Sequence, residues 1–157
     1  MALDVKAEFL HRWEGNRRLT LRTAQAFPPE SLGSFTPTAP LRPFGVMLDE
    51  IARLELSYIR GLAEDRWAWD PDDPPRAADA AGTIALLEEV RAHTRAVWDR
   101  IPAATLFAPH HDPFFFGDEK TPYEWLTYCL ENEIHHRGQG YVYLRHLGVE
   151  PPPFWER

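Results

Sequence analysis

Apolar residues recur along this chain at three- and four-residue intervals in four stretches, the spacing that puts side chains on one face of an α-helix. Phe9, Leu10, Trp13, Leu19, Leu21 and Phe27 give an imperfect first stripe, with Arg17, Arg18 and Arg22 read as a solvated face. Phe44, Met47, Leu48, Ile51, Leu54, Tyr58, Ile59 and Leu62 give the second, which starts near Pro43, a residue suited to a first helical turn. The third runs through Ile84, Leu87, Val90, Val97 and Ile101, with Thr83 as its N-cap and Pro102 as its stop. A fourth opens on Thr121-Pro122-Tyr123-Glu124, a capping box with proline at the first helical position, and ends at Gly148. The pattern predicts an all-α fold. Its form is an antiparallel four-helix bundle with helices near 2–27, 43–62, 83–101 and 121–147 and short extra turns in the links.

The links are irregular by composition. Residues 28–40 are too proline-dense for regular structure, and 64–82 carry Trp67, Trp69 and a Pro71-Asp-Asp-Pro-Pro run. In the link 103–120, His110-His111-Asp112 lacks a helical or hairpin spacing that would orient a chelate. Phe114 to Phe116 read there as a plug over the bundle or against a partner, ahead of a second metal site. His93 on the third helix reads as a structural histidine. The prolines after Gly148 fix an extended tail that Phe154 and Trp155 anchor on the surface or on another subunit.

Bulk composition narrows the function. A chain of 157 residues with 44% hydrophobic content makes one domain, 1–157, with a real core. The net charge of −7 argues against a nucleic-acid partner, which calls for a basic face. No apolar run approaches the ~20 residues of a membrane span. The opening residues lack the charged and apolar regions of a signal peptide, and Cys129 is the sole cysteine, which together point to a reducing cytoplasm. Among Trp125, Tyr128 and Leu130, that thiol reads as packed rather than nucleophilic.

Candidate chemistry concentrates in the last helix. At about 3.6 residues per turn, Trp125, Tyr128, Asn132, His135, His136, Gln139, Tyr143 and His146 share one side, while Leu126, Leu130, Ile134 and Leu144 take much of the other. Such a helix is expected to be buried nearly all round, its polar front meeting polar groups, water or a ligand. On the second helix Glu55 projects into the apolar arc. Pairing with a buried arginine or histidine ranks there ahead of catalysis, and Glu50 stands at the edge.

The run Glu131-Asn-Glu-Ile-His-His-Arg-Gly-Gln-Gly-Tyr-Val-Tyr-Leu-Arg145 resembles the last long helix of the DinB-like superfamily, DNA-damage-inducible metalloenzymes of bacteria. That helix carries His-x-x-x-His-Arg-Gly-Gln, then an aromatic and Tyr-Leu-Arg; the order of the other helical patterns agrees along most of the chain. The resemblance implies a divalent metal held by one residue of the second helix and two of the last. Those positions here are Glu50, Asn132 and His136, of which only His136 is the family's histidine. The implied ion is Zn, Ni or Mn.

Three readings follow. The first is a metal-dependent enzyme, with thiol-transferase chemistry as the resemblance suggests: the metal at Glu50, Asn132 and His136, Glu55 or His135 as proton acceptor, and Gln139 and Tyr143 binding a small-molecule substrate. An apolar setting would raise the pKa of Glu55 for that role. The second is a non-catalytic member that has lost the metal and keeps a polar pocket or a hydrogen-bond network. Last comes an assembly protein, suggested by the aromatic excess. The resemblance also implies a homodimer and a role in the stress response.

Overall fold

Three of the four long helices begin where a side chain satisfies a free N–H group of the first turn, and the other begins directly after a proline. Asp4 accepts from the Ala7 amide at 3.0 Å to open α1 (Val5–Gln25). Pro43 precedes α3 (Phe44–Glu64). Asp79 accepts from Gly82 at 2.8 Å to open α4 (Ala80–Val97). Thr121 and Glu124 cap reciprocally at the head of α6 (Pro122–His146), and Gly148 beyond its end adopts φ +74°, which glycine takes at no steric cost. Two short helices lie in the links, α2 (Pro29–Leu32) and α5 (Ala103–Phe107).

This computed structural model describes residues 4–70, 73–115, 117 and 120–157. Among the described residues there is no strand, only an isolated bridge between Asp112 and Gly117. The all-α reading and the extra turns in the links therefore hold, with local corrections. Asp79, not Thr83, caps α4, because its carboxylate reaches the Gly82 amide and starts the helix three residues sooner. The Thr83 hydroxyl instead donates to the Asp79 carbonyl at 2.9 Å. α4 stops at Val97, and a 3-10 turn, Trp98–Arg100, carries the chain on. The proline-rich 28–40 link does hold a helical turn, since Pro29 sits at its first position, where no amide is needed.

α1 and α3 are diagonal, and each packs against both α4 and α6. Two apolar clusters fill the interior. One joins Ala24, Phe27, Phe44, Leu48, Leu87 and Leu144; the other joins Phe9, Trp13, Tyr58, Val97, Trp125 and Leu130. Their membership sets the helix directions: α1 and α6 run one way, α3 and α4 the other, so the expected antiparallel packing holds at the α1–α4 and α3–α6 contacts, while α1–α6 and α3–α4 are parallel neighbours. The α3–α6 contact is tight at Gly140, where an added Cβ would meet the Phe44 ring at 2.7 Å.

Between the two clusters lies a layer of charge. Arg17 donates to Glu133 at 2.9 Å and to Glu55 at 2.8 Å, and Arg91 meets Glu55 through two nitrogens at 2.8 and 2.7 Å. Thr94 donates to Glu55 at 2.6 Å, and the Arg91 guanidinium lies 4.3 Å over the Trp13 ring. All four charged residues are at most 2% exposed, so the expected solvated place for Arg17 is overturned. Its position four residues after Trp13 puts it on the core face of α1.

In the link after α5, Asp112 accepts from Tyr58 Oη at 3.0 Å and from the Phe114 and Phe115 amides, which spends its carboxylate on folding the loop. Phe114 packs against Tyr58 and Trp67 as a plug would, whereas Phe115 is exposed and Phe116 lies outside the described residues. His93 stands 3.4 Å from Glu64.

Candidate functional site

α6 carries His136 in line with Tyr143, two turns on, both facing the bundle; α3 brings Glu50 opposite. Glu50 Oε1 and His136 Nε2 are 3.1 Å apart. His136 is buried, while the Glu50 side chain keeps 32% exposure. The other Glu50 oxygen accepts from Arg42, the last residue but one before α3. Arg42 is held a second time, because its carbonyl accepts from Tyr143 Oη at 3.0 Å. The hydrogen bond from His136, with Arg42 adding to it against the opposing effect of burial, pulls the Glu50 carboxyl down to about 2.

Two polar atoms at this place have no partner among the described residues: Nδ1 of His136 and Nδ2 of Asn132 are both buried and unbonded. One helical turn separates their residues, so they lie on the same stripe of α6. Buried groups of this kind are normally satisfied by protein, water or a bound molecule.

The remaining candidates separate. His135 is exposed and pairs with Gln139 at 2.8 Å along the surface of α6. Tyr128 and His146 are exposed as well, so the polar front is buried only along Trp125, His136 and Tyr143, with Asn132 and Gln139 half-buried. The expectation of burial nearly all round fails at that outer edge, because α6 has neighbours on only part of its circumference. Tyr143 is buried, and its hydroxyl is spent on Arg42. Glu55 belongs to the charged layer. Burial there would raise its pKa, but Arg91, Arg17 and Thr94 reverse the sign and hold it at about 2. The premise of a raised pKa, on which its role as a proton acceptor rested, is thus corrected.

A reading of the sequence alone passes over Arg42 and Glu133, whereas Arg137 takes the packing role its place in the motif allows. Arg137 donates to the Asn16 carbonyl and side chain at 3.1 and 2.9 Å and to Thr20 at 3.1 Å. The signal for Glu133 and Arg137 was present: both fall in the middle of the apolar arc that Leu126, Leu130 and Leu144 define. Arg42 gave none, since it lies in a link whose path periodicity does not specify.

A family model for the DinB family matches residues 1–157. The chain belongs to the DinB family. Solved DinB-like structures share its fold: one from Bacillus subtilis has a TM-score of 0.75 at 18% identity, covering 96% of this chain and 98% of that one. Another, from Bacillus cereus, has a TM-score of 0.70 at 19% identity, covering 94% of this chain and 95% of its own. No curated protein matches. DinB membership carries the four-helix frame to this chain.

Proposed function

We propose that this DinB-family protein binds a small polar molecule at Asn132 and His136 without a resident metal, the positive charge of the site coming from Arg42. The observation that carries this is the Arg42 guanidinium seated on the Glu50 carboxylate. Glu50 is the only anionic oxygen donor of the expected set, and a divalent ion there would have to displace or face the Arg42 guanidinium. One imidazole and a neutral amide complete that set, and among the described residues no three His, Cys, Asp or Glu side chains group to hold an ion. Zn, Ni or Mn therefore fits these residues poorly, and no thiol-transferase step is derived through a metal. Glu50, His136 and Arg42 instead make a hydrogen-bonded set, which leaves the unpaired Asn132 and His136 atoms for the ligand.

Elemental analysis of protein purified without chelator tests the reading, with His136→Ala beside it. Metal well below one equivalent per chain, unchanged in the variant, is the expected result. About one equivalent that disappears with His136 would return the site to the metalloenzyme reading.

A further inference from the structure

A second polar site lies on the far side of the charged layer, between α1 and α4. A groove of about 280 Å³ there is lined by Glu14, Arg17, Arg18, Glu88, Arg91 and Arg95, with Leu21 at its edge. Its floor is made of Arg17 and Arg91, each 2% exposed, and its rim of the exposed Arg18, Glu88 and Arg95.

Arginine use at this floor is uneven. All three guanidinium nitrogens of Arg17 are taken, by Glu133, by Glu55 and by the Leu87 carbonyl at 2.9 Å. Arg91 spends Nε and Nη2 on Glu55, and its Nη1 is buried with no partner among the described residues. The guanidinium is planar, so Nη1 points away from the carboxylate that holds the other two nitrogens. A buried N–H donor of a charged group left without an acceptor is costly, and a groove lined by that same residue is where an acceptor can come from.

We propose that the α1–α4 groove is a binding site for a small oxyanion of the phosphate class, received by Arg91 Nη1 and closed over by Arg18. The charges facing it set both selectivity and strength. Arg95 is engaged by Glu14 at 3.2 Å, and Glu55 and Glu133 behind the floor neutralise Arg17 and the inner edge of Arg91. That leaves Arg18 and the outer edge of Arg91 to attract an anion, opposed by Glu88. Binding is accordingly weak and salt-sensitive. A tetrahedral oxyanion suits the place because it offers several acceptor oxygens, one for the floor and others for the rim.

The test is calorimetric titration of the full chain with inorganic phosphate in chloride buffer, against a potassium chloride blank of equal ionic strength. Saturable binding in the millimolar range is expected, weakened about tenfold by Arg18→Ala, as loss of one charged hydrogen bond implies, and strengthened by Glu88→Gln. Both substitutions fall on exposed rim residues, so the charged layer and the fold are left alone. No saturable heat, or identical binding by the native chain and Arg18→Ala, overturns the proposal and leaves the groove as a place for water.

Discussion

Glu55 shows how environment decides what a carboxylate is for. An apolar helix face argues for a raised pKa, but two guanidinium groups and a hydroxyl reach it, and the ionised form wins. Glu55→Gln removes the charge while leaving Arg17 and Arg91 buried, so destabilisation of about 3–5 kcal/mol is expected in chemical denaturation at neutral pH. The pH dependence has a definite sign. The folded pKa of about 2 lies below the ordinary 4.5, so the stability that ionisation contributes is complete above pH 4.5 and lost as pH falls toward 2. Melting temperatures followed over that window should fall for the native chain and fall less steeply for Glu55→Gln. Some slope persists in the variant, because Glu50 is also held at about 2 by His136 and Arg42.

At the level of the helix, the chain writes its starts clearly and its close approaches not at all. Thr121, Pro122 and Glu124 form the capping box their order predicts, and Thr121→Ala should cost about 1 kcal/mol in urea unfolding. Gly140 offered no such sign. It lies among small and aromatic residues where a helix would tolerate alanine, yet its Cα faces the Phe44 ring. Gly140→Ala should lose about 1–3 kcal/mol despite better helix propensity, since ring or helix must shift; unchanged stability would show that the α3–α6 contact adapts freely. The same contrast governs what could be read of the site. Asn132 and His136 follow from helix spacing and the family's motif, and Glu50 from the family's register alone, because these depend on neighbours in the sequence. Arg42 comes from a link, and the exposure of His135 from how much of α6 its neighbours cover; neither has a local cause. Arg17, Glu133 and Arg137 sat in apolar arcs in plain view, but a charge there is legible as buried only once its partner helix is known.

For the molecule as a whole, the exterior carries aromatic surface that the bundle does not use. Trp155 is 70% exposed, Phe154 61% and Phe115 58%, and the C-terminal tail that bears the first two is tied to α1 by Arg22 and Glu156. We expect a homodimer on this account, and sedimentation velocity at micromolar concentration should show a species of twice the chain mass. A monomer throughout that range would remove the assumption and return the exposed rings to ordinary surface.

The buried layer of Arg17, Glu55, Arg91 and Glu133 has a consequence for alignment. Helices with apolar faces tolerate sliding past one another, because leucine against leucine differs little from leucine against isoleucine. A slip of one turn, about 5.4 Å, would take each of these buried charges away from its opposite sign. Only one longitudinal register cancels all four at once, and it is the register that also brings Glu50 level with His136. The charges at the middle of this bundle thus act as a vernier: they fix how far along each helix its neighbours meet, and so hold two residues 86 positions apart within 3.1 Å of each other.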